Sequence, residues 1–198
     1  MSYSSDDIYR RLLGTDPAPT ARRKCFVSYS ADDEDEVDRF VRDFTEVFIA
    51  KVIGVSRGDS LIDSGNSDYV MSRIRNEYLG DSTVTLCMIG SCTHSRRYID
   101  WELKATLRRG TYVPNGLVGV LLPSVGDRAY LPPRFKDNWN RDESMAYAIY
   151  RPYPSTKAIL RSWIEEAFSR RTSHAALISN TQDMHRYNRK CSVHNVTH

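Results

Sequence analysis

Short, continuous apolar runs alternate along this chain with stretches whose apolar residues recur every three or four positions. The clearest run is residues 82–90, and residues 24–30 and 116–122 are similar. Such runs are typical of strands buried on both faces of a parallel sheet. Residues 33–50 instead space their apolar side chains along one face of an amphipathic helix. These side chains are Val37, Phe40, Val41, Phe44, Val47 and Phe48.

Two further strands, one loop and three helices complete the pattern. The strands are predicted at residues 52–55 and 145–150, and the loop at residues 57–66. The helices are predicted at residues 67–80, 95–110 and 155–168. Ser67 or Asp68 is expected to cap the first of these helices, and Ser95 to start the second. Because strands and helices alternate, the chain is predicted to be an α/β fold with a mostly parallel sheet covered on both faces.

Parallel sheets of this kind bind ligands at the carboxyl ends of their strands. Three segments lie at that edge of the predicted sheet, namely residues 28–33, 57–68 and 90–95. We therefore expect the functional site to be built from these three segments.

The chain is predicted to contain one domain, residues 23–178, between two polar extensions. Residues 1–22 form a lead-in, and residues 179–198 form a tail that is expected to be loosely held. The tail contains His185, Cys191, His194 and His198. Their spacing matches no strong zinc motif, so no metal site is expected.

Composition and charge narrow the classes of function. Hydrophobic residues make up 40% and charged residues 27% of the 198 residues, as in a soluble globular domain. The net charge is +3, with 28 basic and 25 acidic residues interspersed along the chain. A nucleic-acid partner is therefore not expected, because such partners select a clustered basic surface.

The cellular location is predicted from the length of the apolar runs and from the positions of the cysteines. No run approaches the roughly 18 apolar residues that a membrane helix needs, and the N-terminus has no secretory signal pattern, so no membrane partner is expected. The four cysteines form no Cys-x-x-Cys pair, and Cys25 and Cys87 lie in apolar runs. Reduced thiols and a cytoplasmic location are therefore expected.

Several common catalytic motifs are missing from the sequence. It contains no G-x-G-x-x-G, no P-loop, no G-x-S-x-G and no H-E-x-x-H. This argues against a dehydrogenase, an NTPase, an esterase and a zinc protease.

Two segments together resemble a known family. Residues 25–32, Cys-Phe-Val-Ser-Tyr-Ser-Ala-Asp, resemble the first strand and turn of TIR domains. Residues 69–103 resemble the TIR-like proteins of bacterial Thoeris anti-phage defence systems. The second segment contains Ile74-Arg75, the strand 82–90, Thr93-x-Ser95 and Tyr98-Ile-Asp-Trp-Glu-Leu103. The resemblance covers roughly residues 24–170.

The resemblance carries expectations about fold and activity. It implies a flavodoxin-like, three-layer sandwich with about five strands. It also implies that NAD is the substrate, that no further cofactor is needed, and that nicotinamide is released. Thoeris members go on to make a cyclic ADP-ribose isomer or a related conjugate, which activates a separate effector protein during phage infection. Self-association and a phage-derived trigger are further expectations from the family.

The catalytic residue that the resemblance implies is Glu102. A carboxylate beside the ribose would stabilise the positive charge that develops when the nicotinamide–ribose bond breaks. Asp100 is a rival, although it points about 200° around the helix from Glu102. Only one of the two can face a given cleft.

The remaining predicted site residues would bind the substrate. Phe26, Tyr29, Tyr98 and Trp101 are candidates for an aromatic wall beside nicotinamide. Candidates for contacts to ribose or phosphate are Ser28, Ser30 and Ser95, and further substrate-binding candidates are Cys92, Asp63 and Asp68. Tyr98 and Trp101 can instead be core residues. Taken alone, Ser95 is better explained as a helix cap, and Asp63 and Asp68 as loop residues that face solvent or cap a helix.

Two other functions remain open at this level. Many TIR-like domains act only by associating with each other, and a fold does not fix a function. A phosphoryl-acceptor regulator of the same topology would need an acidic pocket, for which Asp32 and Asp33 are the candidates. The acidic residues 32–36 match no calcium-loop pattern and are expected to be a solvated helix start.

Overall fold

A computed structural model of the chain describes residues 21–52, 67–108, 110, 113–126 and 129–197. Its strands are β1 (Arg23–Ser28), β2 (Phe48–Val52), β3 (Val84–Ile89), β4 (Gly116–Leu121) and β5 (Ile149–Arg151). Its α-helices are α1 (Glu34–Asp43), α2 (Ser67–Arg73), α3 (Arg97–Thr106), α4 (Pro133–Lys136) and α5 (Lys157–Ser173). Helix α2 continues as a π-helical segment, Ile74–Leu79, and short 3₁₀ turns lie at Ala31–Asp33, Thr93–Ser95, Pro123–Val125, Glu143–Met145 and Ala175–Leu177.

The five strands form one parallel sheet in the order β2-β1-β3-β4-β5. This is the strand order of the flavodoxin-like fold, in which the chain reverses direction across the sheet between β1 and β3. The predicted fold class, a flavodoxin-like α/β sandwich, is therefore confirmed. No helix among the described residues is both long and apolar enough to cross a membrane.

Helices cover both faces of the sheet because side chains alternate along each strand. In β3, Val84, Leu86 and Met88 face the core that contains α1 and α5. Cys87 and Ile89 face the opposite core, which contains Ile99 and Leu103 of α3. Every residue of β3 is buried, which explains why its sequence is an unbroken apolar run.

The predicted boundaries around β2 are wrong. The sequence predicts a helix through residue 50 and a strand at 52–55, but α1 ends at Asp43 and β2 begins at Phe48. Val47 and Phe48 are buried in the same core as α1. Their burial is therefore compatible both with a longer helix and with the start of a strand. In β2, Phe48 pairs with Arg23 of β1.

The ends of two other elements also differ from prediction. Residues 146–148 are buried but lie outside β5, and the Ala148 amide donates to the carbonyl of Asn138 instead of to β4. Helix α5 extends beyond residue 168 to Ser173, and it begins where the Thr156 side chain accepts from the Ile159 amide at 3.2 Å. Residue 156 is therefore a helix cap of the usual kind.

Residues 179–197 lie against the domain, so the prediction of a loosely held tail is wrong. The indole Nε1 of Trp101 donates to the carbonyl of His185 at 2.8 Å, and the amide of Arg189 donates to the carbonyl of Ser95 at 2.7 Å. Cys191 is completely buried. The tail is attached largely through its backbone, which the polarity of its side chains does not reveal. The predicted limits of the domain at residues 23 and 178 stay predictions.

We expect Gly116→Ala to destabilise the protein, because helix α5 lies directly against Gly116. A Cβ atom at this position would lie 2.2 Å from the backbone oxygen of Ala167. Separating α5 from β4 should lower the free energy of unfolding by about 3 kcal/mol and the Tm by about 6–12 °C. Thermal unfolding followed by circular dichroism measures the effect.

The control is Ser162→Ala, which adds no atom and lies on the exposed side of α5. If the two variants have the same Tm, the close approach of α5 to β4 is not a feature of the folded protein.

Candidate functional site

A cleft lies at the carboxyl end of β1, between the turn that follows this strand and helix α3. It encloses about 820 Å³, including the part that is open to solvent. Its lining residues are Val27, Tyr29, Ser30, Ala31, Asp32, Arg96, Tyr98, Ile99, Glu102 and Asn188. The cleft therefore lies where a doubly wound sheet is expected to bind a ligand.

Glu102 lies at the floor of this cleft and is only 6% exposed. The Ser28 hydroxyl donates a hydrogen bond to Glu102 Oε2 at 2.6 Å. Burial raises the pKa of Glu102 to about 8, and the hydrogen bond from Ser28 acts in the opposite direction. A buried carboxyl group with a raised pKa, facing a cleft, is typical of catalytic acids and bases.

The sheet and α3 together fix the distance between Ser28 and Glu102. Ser28 is the last residue of β1 and pairs with Cys87 of β3. Glu102 lies in the middle of α3, whose Ile99 and Leu103 pack into the core beneath. Both side chains therefore project from elements that the core holds in place.

Ser30 and Arg96 provide further polar groups to the cleft. Ser30 is 4% exposed, and its Oγ has no hydrogen-bond partner within the described part of the chain. The Arg96 guanidinium pairs with the carboxylate of Asp32. A buried hydroxyl and a guanidinium are suitable groups for binding the ribose and phosphate groups of a nucleotide.

Tyr98 forms an aromatic wall of the cleft, and Tyr29 lines it from the β1 turn. The Tyr98 ring meets the Trp101 ring edge to face, with centroids 5.5 Å apart. The Arg97 guanidinium lies 4.7 Å from the centre of the Tyr98 ring and donates to the Tyr98 hydroxyl at 2.6 Å. These contacts fix the orientation of the ring.

Phe26 and Trp101 are core residues, contrary to the prediction that they form the substrate wall. Both are buried in a cluster with Met71 and Ile74, and neither lines the cleft. Phe26 is two residues before Ser28, so it lies on the same face of β1 but deeper beneath α3. The Trp101 indole is held by the carbonyl of His185.

Asp100, the rival to Glu102, does not reach the cleft. It forms a buried ion pair with Arg134, in which Arg134 Nε donates to Asp100 Oδ1 at 2.9 Å. Its Oδ2 also accepts from the amide of His185 at 2.9 Å. The two side chains project in different directions from α3, as the helical geometry requires, and Asp100 has a structural role.

The other predicted binding residues are distributed more widely. The Ser95 hydroxyl is fully buried and donates to the carbonyl of Cys92 at 2.8 Å, so it neither caps α3 nor lines the cleft. Cys92 lies beside the tail instead of in the cleft. Asp63 lies outside the described residues, as does the side chain of Asp68, whose backbone is in α2. Substrate roles for these two aspartates stay predictions.

Asp32 and Asp33 are engaged separately. Asp32 pairs with Arg96, whereas Asp33 packs against Gly90 and receives a 3.4 Å hydrogen bond from Thr93 Oγ1. Burial, together with the charges of Asp32 and Glu36, raises the pKa of Asp33 to about 6. The arrangement does not favour a phosphoryl-acceptor site.

Sequence reasoning did not identify Arg96 and Asn188 as cleft residues. Arg96 immediately precedes α3, the helix that contains Glu102. Its position in the sequence could therefore have indicated that it lies at the same edge of the sheet. No sequence signal indicates Asn188, because it reaches the cleft from the tail.

The part of the sequence that contains the cleft matches a known protein family. A family model described as the TIR-like domain of Thoeris protein ThsB matches residues 26–127, slightly more than half of the chain. The matched range includes every residue that lines the cleft except Asn188. No curated protein matches the sequence.

Proposed function

The chain belongs to the ThsB TIR-like family of Thoeris proteins, and from this premise we propose that it cleaves NAD at the bond between nicotinamide and ribose. Glu102 is the proposed catalytic residue. The observation that carries the proposal is the buried Glu102 carboxyl group, hydrogen-bonded by Ser28 at 2.6 Å in the cleft at the end of β1.

The chemistry requires one carboxylate in a site that is shielded from water. As the bond breaks, positive charge develops on the ribose ring, and a nearby carboxylate stabilises that charge. The nicotinamide ring of NAD is itself cationic, so its presence beside Glu102 favours the ionised form of the carboxyl group. Nicotinamide leaves as a neutral base, and no general acid is needed.

The chemistry of the residues that line the cleft supports NAD as the substrate. Tyr98 would pack against nicotinamide, the buried Ser30 hydroxyl would bind a ribose hydroxyl, and Arg96 would face a phosphate group. No further cofactor takes part.

The family membership supports a role in signalling. After nicotinamide leaves, a second nucleophile on the same ADP-ribosyl group would close a cyclic ADP-ribose isomer, or another molecule would form a conjugate. This product would activate a separate effector protein in anti-phage defence. Self-association and a phage-derived trigger belong to the same proposal. A cytoplasmic location is also part of it and is supported by the four cysteines, which are free thiols.

Oxygen-18-labelled water distinguishes the possible products. Purified protein is incubated with NAD in oxygen-18-labelled water, with and without lysate from phage-infected cells. The products are then separated, and their masses are measured by mass spectrometry. The proposal predicts nicotinamide together with a cyclic product that contains no labelled oxygen. If labelled ADP-ribose is the sole product, cleavage stands and cyclisation is wrong.

Removing the Ser28 hydroxyl should shift the pH dependence of the reaction. Activity requires ionised Glu102, so kcat/KM should rise with pH through about 8. In Ser28→Ala the hydrogen bond that favours the ionised form is lost, and the rise should move to higher pH. At pH 7, kcat/KM should fall by about tenfold.

The matched control is Ser30→Ala, which removes a hydroxyl from the turn after β1 that forms no hydrogen bond with Glu102. It should raise KM and leave the midpoint of the pH profile unchanged. Equal pH midpoints for wild type and Ser28→Ala would show that ionised Glu102 does not limit the reaction.

A further inference from the structure

Three groups that commonly bind metals meet where the tail lies against the β3–α3 connection. The ligand atoms of Cys92, Cys191 and His194 all lie within 4.8 Å of one another. The sulfur of Cys92 is 3.1 Å from Nδ1 of His194. Both cysteines are buried, whereas His194 is exposed and gives access from solvent. We propose that these three residues bind a zinc ion that fastens the tail to the domain.

The distances are close to those of a tetrahedral zinc site. Zinc–sulfur and zinc–nitrogen bonds of about 2.3 and 2.0 Å place the two sulfurs and the nitrogen of such a site about 3.5–3.8 Å apart. A separation of at most 4.8 Å therefore requires only small side-chain movements. Thiolate and imidazole together favour zinc over the hard cations magnesium and calcium.

The tail turn that contains two of the ligands is already closed by its backbone. The amide of Cys191 donates to the carbonyl of Val196 at 2.7 Å, and the amide of Asn195 donates to the carbonyl of Cys191 at 2.8 Å. His94 holds the same turn, since its Nε2 accepts from the amide of Ser192 at 3.0 Å. A turn with Cys-x-x-His spacing is thus positioned against Cys92 before any metal binds.

The proposed ion would join parts of the chain that are distant in sequence, because Cys92 and His194 are 102 residues apart. This separation explains why the spacing of the tail residues alone predicts no metal site. Three protein ligands leave one tetrahedral position for water. By holding residues 191–194 against the loop, the ion would also stabilise the segment from which Asn188 reaches the cleft.

Metal binding can be measured on the full-length, reduced protein without any enzymatic assay. The protein is stripped with a chelator and titrated with zinc against a chromophoric competitor, and cobalt absorption reports thiolate ligands and tetrahedral geometry. We expect one zinc ion per chain and a higher Tm with zinc. Cys191→Ser and His194→Ala should each weaken zinc affinity by at least about 100-fold.

The control is His174→Ala, which removes an imidazole outside the cluster and should leave zinc affinity unchanged. Because His194 is exposed, His194→Ala tests the site even where Cys191→Ser fails to fold. The proposal is overturned if reduced wild type binds no zinc, or if His194→Ala binds it as tightly as wild type. It is also overturned if Cys92 and Cys191 form a disulfide that persists when zinc and reductant are supplied together. None of these results depends on whether NAD is cleaved.

Discussion

Replacing Glu102 with glutamine should lower kcat for NAD cleavage by about 1,000-fold and leave the fold intact. Glutamine has nearly the same shape as glutamate, and its amide oxygen can accept the hydrogen bond that Ser28 now donates to Glu102. It has no negative charge to stabilise the ribose cation. NAD affinity should therefore change little, because the lost interaction develops mainly in the transition state.

The matched control is Glu46→Gln, the same chemical change at an exposed position. It should retain wild-type kcat, and both variants should unfold at temperatures close to that of wild type. A Glu102→Gln variant with normal kcat would assign the reaction to another residue. If that variant also retains full anti-phage protection in cells, the chain functions as a non-catalytic interaction module.

Arg134→Met should be among the most destabilising substitutions in the protein. It would leave the carboxylate of Asp100 buried without its ion-pair partner, since the side chains of Arg134 and Asp100 are 0% and 2% exposed. The loss of one member of a buried ion pair lowers the free energy of unfolding by about 3–5 kcal/mol. For a chain of this size the Tm should fall by about 6–20 °C.

The same substitution should also loosen the tail. Arg134 donates to the carbonyls of Gln182 and Asp183 and to the side chain of Asn180. Hydrogen exchange should therefore become faster in residues 180–188 of Arg134→Met. Lys157→Met is the control, because it removes one member of an exposed ion pair and should have little effect on the Tm. Equal Tm values for the two variants would contradict a structural role for the buried pair.

The topology of the fold was predictable because it depends on few sequence features. The apolar runs in β1, β3 and β4 are buried on both faces, and the amphipathic spacing of α1 matches a single apolar face. Element ends were less predictable. Val47 and Phe48 continue the spacing of α1, yet they follow a turn at Phe44, so their hydrophobicity alone did not reveal where the helix stops.

General rules predict which segments meet at the candidate site, and the roles of its residues stay predictions. The rule that ligands bind at the carboxyl ends of strands brought Ser28, Ser30 and the β3–α3 connection together, and helical geometry separated Glu102 from Asp100. The depth of a side chain cannot be predicted from such rules. Phe26 and Trp101 are near the cleft in sequence but pack below it. The contributions of the tail depend on contacts between distant segments, which no local pattern encodes.

The central claim, that this cleft breaks the bond between nicotinamide and ribose, is tested most directly by a time course of nicotinamide release. Purified wild-type protein is mixed with NAD, alone and with lysate from phage-infected cells, and nicotinamide is quantified by chromatography against a protein-free sample. We predict that nicotinamide accumulates while NAD disappears in equal amount. Unchanged NAD and no nicotinamide under both conditions would contradict the account.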